Sequence, residues 1–171
     1  MSNEMEPAKS AWYRRPTVIA GAIALIVIGG VVAFLLFAPK ATTTLSQSID
    51  EAGPGLVALK SASFSGADSF HKVSGTVALY AGPDGHFLRF EGYEATSGPD
   101  VYFYLSATPD ASYNGGERLK VRFPGGADDG QATLRGDFNV PLPEAFDPAA
   151  WSSAIVWCDR FSVRFGSASF R

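Results

Sequence analysis

Cysteine is almost missing from this chain. Cys158 is the only one in 171 residues, so no disulfide can close within it. Any folded domain must stand on its hydrophobic core, which about 110 residues can supply. The same scarcity excludes a covalently attached c-type haem, which needs a C-x-x-C-H run. Histidine is limited to His71 and His86. No G-x-S-x-G elbow marks a hydrolase of the α/β type. No glycine-rich loop leads into a helix to cradle phosphate, since the glycines fall in hairpin-like turns. A basic stripe is missing as well: residues 41–171 hold 15 acidic and 10 basic residues. That balance excludes nucleic acid as a partner.

What the chain does have is one long apolar run. Residues 17–38 (TVIAGAIALIVIGGVVAFLLFA) carry no charge. At 1.5 Å per residue they predict a helix of about 33 Å, enough for a hydrocarbon core of about 30 Å. Pro16 suits a first helical turn and Pro39 can stop one. Trp12 and Tyr13 stand where an interfacial aromatic belt would be. A cleaved signal peptide is the competing reading, but its apolar region is usually about 7–15 residues, and Pro39 after Ala38 makes a poor cleavage site. Lys9, Arg14 and Arg15 precede the run, whereas Lys40 alone follows closely. The positive-inside rule then puts the N-terminus in the cytoplasm and residues 41–171 outside. The expected organisation is a cytoplasmic tail (1–16), a lipid-embedded transmembrane helix (17–38), a flexible Thr/Ser/Gly/Pro-rich linker (39–59) and one extracytoplasmic β domain (60–171).

The domain's pattern is short and alternating. Val73, Gly75, Val77 and Leu79 alternate with Ser74, Thr76, Ala78 and Tyr80. Gly82-Pro83-Asp84-Gly85 breaks the chain, and Gly98-Pro99-Asp100 precedes Val101-Tyr102-Phe103-Tyr104-Leu105. Residues 118–123 and 132–140 alternate again. Ala154–Cys158 and Phe161–Phe165 read as a closing hairpin joined at Asp159-Arg160. Strands so spaced, with helix-length patterns lacking, predict a mainly β fold: an antiparallel β-sandwich or barrel-like domain of roughly 8–10 strands after one transmembrane α-helix.

These landmarks fall in a recognisable order: His71-x-x-Ser74-Gly75-x-Val77, then Phe90, then Gly98-Pro99-Asp100-x-Tyr102. Gly136-x-Phe138-x-Val140-Pro141 follows, and Ile155-Val156-Trp157-Cys158-x-x-Phe161-x-Val163-x-Phe165-Gly166-x-Ala168 closes the chain. Over about residues 60–171 the chain resembles the DM-thirteen domain, also called the electron-transfer DM domain. The resemblance implies a small β-rich extracytoplasmic domain. In animals and plants such domains stand beside DOMON and b-type cytochrome domains, and their near-terminal cysteine is the proposed redox or haem-contacting residue. Cys158 occupies that position. Neither a DOMON domain nor a multi-helix cytochrome accompanies it here, so an electron donor or acceptor would be a separate redox partner protein.

Read from residues alone, Cys158 is either a small hydrophobe in the core or a thiol that pairs, oxidises or binds outside the cytoplasm. Arg160 would lower its pKa and Asp159 would oppose that. His71 holds a motif position and is the candidate cofactor-binding partner of Cys158, with a non-covalent haem admitted. His86 follows a turn and reads as solvated. No metal site is expected: Asp128-Asp129-Gly130 lacks the continuing ligand pattern of a calcium loop. Trp157, Tyr102 and Tyr104 are either sheet aromatics or a lining that relays charge. The sequence thus points to an anchored accessory of redox chemistry acting through Cys158, with a non-enzymatic ligand- or protein-binding module as the alternative.

Overall fold

The computed structural model describes residues 16–37, 43–48, 55–109 and 111–171. The chain forms two compact units, residues 1–38 and 39–171. In the first, helix α1 (Pro16–Phe37) is apolar all round, with Ile19, Ile23, Leu25, Ile26, Phe34 and Leu35 exposed. A helix without a polar face suits lipid rather than water. Its length and composition fit a membrane anchor or a signal sequence. The flanking belt residues Trp12 and Tyr13 and the basic residues Lys9, Arg14, Arg15 and Lys40 lie outside the described residues.

The second unit is mainly β. Its strands are β1 (Thr43–Ser46), β2 (Val57–Ser63), β3 (Ser65–Gly66), β4 (Val73–Gly82), β5 (Gly85–Ala95), β6 (Val101–Ser106), β7 (Arg118–Val121), β8 (Leu134–Pro141), β9 (Ser153–Cys158) and β10 (Val163–Ser169). They make two five-stranded sheets, ordered β1-β8-β5-β4-β2 and β3-β10-β9-β6-β7. Every pairing is antiparallel except β1 with β8. Helix elsewhere is limited, among the described residues, to one turn α2 (Ala127–Gly130) and a 3₁₀ turn (Pro148–Ala150). The expected antiparallel sandwich is what forms.

The sheets enclose an aromatic core because alternation points one face of each strand inward. Phe90 on β5 is fully buried and meets Phe64, Tyr93, Phe103, Phe123 and Phe138, with ring centroids 4.9–6.3 Å apart. Tyr93 and Phe103 meet it edge-on and Phe64 and Phe138 stack, and aromatic pairs of these kinds add about 0.5–1.5 kcal/mol each beyond area burial. Tyr93 spends its hydroxyl on the Ala132 carbonyl at 3.0 Å, so no polar group is orphaned there.

Three sequence expectations need correction. Within the expected linker 39–59, Thr43–Ser46 and the start of β2 are strands. The open edge of β8 accepts β1, Gln47 Oε1 receives the Asn139 N–H at 2.9 Å, and Gln47 O receives Arg89 Nη1 at 2.7 Å. Residues 38–42 and 49–54 lie outside the described residues. The closing hairpin exists, but its connection is the four-residue turn 159–162; Phe161 lies in it and β10 starts at Val163. Ser162 there takes φ +54, a left-handed conformation that ends the turn. His86 is half-buried rather than solvated, its ring 5.7 Å from that of Phe146.

Candidate functional site

Cys158 ends β9, where the side chains alternate across the second sheet. Its own side chain points toward the core and is 1% exposed. The thiol donates to the Pro99 carbonyl at 3.1 Å. That carbonyl is presented by the Gly98-Pro99-Asp100 turn, and each residue of the turn has a separate reason to be there. Gly98 lies under the Phe165 ring: a Cβ at this position would come within 2.9 Å of Phe165 Cζ. Asp100, at φ +52, accepts Arg160 Nε at 2.7 Å, and its carbonyl takes the Asp159 N–H at 2.9 Å. Arg160 is therefore committed to Asp100.

Phe165 reaches Gly98 because β10 bulges at it, leaving it unpaired between Arg164 and Gly166. A bulge re-aims a side chain, and the ring packs edge-on against His71 at 4.8 Å. His71 is fixed from its other side by Asp68. Asp68 Oδ1 accepts the Phe70 and His71 backbone N–H groups, both at 2.7 Å, and its Oδ2 lies 2.8 Å from His71 Nδ1. The His71 side chain first, and the two backbone N–H groups after it, hold the Asp68 carboxyl down at about 2. An ionised carboxylate only accepts, so His71 Nδ1 carries the proton and Nε2 is the ring nitrogen not committed to Asp68.

These pieces line one cavity of about 250 Å³, with Cys158, His71, Pro99 and Phe165 among its walls. Phe70 and Phe161 also line it and are 80% and 59% exposed, which makes its mouth apolar. The structure thus brings His71 and Cys158 together and leaves His86 apart, in a second cavity with Gln47, Asp84 and Asn139. Haem does not fit here. The cavity is smaller than the roughly 300–1,000 Å³ usual for drug-sized ligands, and the thiol already engages a backbone carbonyl. Among the described residues no group of three or more His, Cys, Asp and Glu could hold a metal ion. Asp129 stands in α2 and pairs with Arg122.

The opposite face of the same sheet carries a different cluster. The residues flanking Cys158, Trp157 and Asp159, belong to it. Register sets Tyr102 opposite Trp157 and Lys120 opposite Tyr104. The Tyr104 hydroxyl donates to Asp159, 2.8 Å from each carboxylate oxygen, and Tyr113 adds a bond to Oδ1 at 3.3 Å. Lys120 Nζ binds Oδ2 at 2.9 Å and sits 3.3 Å from the centre of the Tyr102 ring. Tyr113 stacks on Trp157 at 3.9 Å, and the Arg118 guanidinium carbon lies over the Tyr113 ring, 4.1 Å from its centre. Burial first, then the bond to Asp159, keeps the Tyr104 hydroxyl protonated far above the ordinary phenol range. Sequence reasoning found Tyr102, Tyr104 and Trp157. It does not reach Tyr113, which comes from an irregular loop, and it reads Asp159 only as part of the hairpin connection and as a charge beside the thiol.

Residues 63–170 match the family model described as electron transfer DM13. No curated protein and no solved structure matches the chain.

Proposed function

Because the chain belongs to the electron transfer DM13 family, we propose that it is an accessory electron-transfer domain held at a membrane by α1, with Cys158 as its redox group. The observation that supports this reading is the shared cavity: a lone thiol, an imidazole oriented by a carboxylate, and an apolar mouth suited to docking. The chain has no second cysteine. A thiol–disulfide step therefore takes its other sulfurs from partner proteins. The Cys158 thiolate would attack the disulfide of an acceptor protein, forming a mixed disulfide and expelling one acceptor thiolate. A thiolate of a dithiol donor protein would attack the Cys158 sulfur and expel the second acceptor thiolate. The donor's other thiolate would then release Cys158, leaving the acceptor as a dithiol and the donor as a disulfide. His71 would receive the thiol proton or contact the incoming group.

The basic residues before α1 support an external domain. Protease added to intact cells would then degrade it, and protection until the membrane is opened would reverse the orientation. For the cysteine, the full-length protein in detergent is compared with Cys158→Ser by circular dichroism, by alkylation and by spectra with and without reductant. The expected result is an unchanged fold, alkylation of the folded wild type, and loss of thiol-dependent redox behaviour in the variant. A thiol inert in the folded protein, with wild type and variant alike in every redox assay, would pass first place to a ligand- or protein-binding module. The exposure of Phe70 and Phe161 at one opening favours that second reading.

A further inference from the structure

We infer that Tyr104 and Asp159 form a second redox site, a tyrosine whose one-electron oxidation is coupled to proton transfer onto the carboxylate. Oxidising a phenol without moving its proton leaves a cation radical, and Tyr104 is only 7% exposed, where an uncompensated charge is costly. Asp159 removes that difficulty: both of its oxygens lie 2.8 Å from the Tyr104 hydroxyl, so the proton has a short path already made. In the step, one electron leaves Tyr104 for an external one-electron oxidant, the phenolic O–H breaks, and an O–H forms on Asp159. The products are a neutral tyrosyl radical, a neutral carboxylic acid and the reduced oxidant. One electron from a donor reverses it.

The surroundings select Tyr104 among the rings of this face. An ammonium lies 3.3 Å over the Tyr102 ring and a guanidinium 4.1 Å from the Tyr113 ring, and positive charge there opposes loss of an electron. Tyr104 has the carboxylate at its hydroxyl and Lys120 farther away, 5.7 Å from its ring centre. Lys120 also binds Asp159 Oδ2 at 2.9 Å, which fixes the carboxylate in place against the Tyr104 hydroxyl. The stacked Tyr113–Trp157 pair gives the hole a neighbouring aromatic path toward solvent, since Tyr113 meets Tyr104 edge-on at 5.4 Å. This site does not use the Cys158 thiol.

The test is flash oxidation of the full-length protein in detergent micelles by photogenerated tris(bipyridine)ruthenium(III), read by transient absorption and by electron paramagnetic resonance. A tyrosyl radical is expected whose formation slows in D2O. Asp159→Asn should slow it by about 10²-fold or more, the low end of what a positioned proton acceptor contributes. Lys120→Met should accelerate it by removing the positive charge 5.7 Å from the centre of the ring that loses the electron. Because Tyr104→Phe can disturb a buried strand, 2,3-difluorotyrosine is also placed at position 104; it changes the radical's hyperfine pattern only if the unpaired electron resides there. An unaltered pattern, or a rate indifferent to both D2O and Asp159→Asn, would overturn the proposal.

Discussion

Gly98 is the residue on which the thiol pocket turns, because one missing Cβ lets Phe165 lie over the turn that presents the Pro99 carbonyl. Gly98→Ala forces that ring outward and should cost about 1–3 kcal/mol, the usual penalty for overpacking. It should also speed alkylation of Cys158, which a thiol-modification time course would detect; a rate equal to wild type would detach the ring from thiol access. Asp68 makes a prediction in pH. Its carboxyl sits at about 2 in the folded protein against an ordinary 3.8. A depressed folded value means the unfolded chain binds the proton more readily, so this contribution is complete above about pH 4 and fades as pH falls toward about 2. Denaturant midpoints measured across that window should fall less steeply in Asp68→Asn than in wild type.

At the scale of elements, β1 is a short parallel strap along the edge of β8. It covers the β8 edge and answers Arg89, a guanidinium only 5% exposed. A fragment beginning at residue 55 should therefore be less stable than one beginning at residue 43 by about 1.5–3 kcal/mol, the worth of a hydrogen bond to a charged group. With β8 uncovered, it should also self-associate in sedimentation while the longer fragment stays monomeric. The strap was not legible in the sequence because TTLS offers only Leu45 to the core, too little for any periodicity. The long strands were legible, since β4 and β8 alternate buried and solvent-facing residues over much of their length. β6 hid its second role for the opposite reason. Both of its faces are buried, so nothing in Val101–Ser106 separates a core aromatic such as Phe103 from the redox candidate Tyr104. Only the partners brought by β7, the turn after β9 and the loop carrying Tyr113 make that distinction.

At the scale of the whole sandwich, stability rests on the six-ring cluster centred on Phe90. Phe90→Ala should cost about 3–5 kcal/mol. Urea unfolding of the β domain should register this as a shifted midpoint with an unchanged slope, and a loss under about 1 kcal/mol would mean the rings close over the gap. Both candidate sites hang on this core from one strand end, Trp157-Cys158-Asp159, with the thiol on one face of the sheet and its two neighbours on the other. That arrangement has a genetic consequence. Adding or deleting a single codon within β9 exchanges the faces of every residue beyond it. The thiol would leave its pocket while the indole and the carboxylate turned into the aromatic core. Point changes can alter either site alone, but a length change in this strand removes both at once, so the two are inherited as one unit.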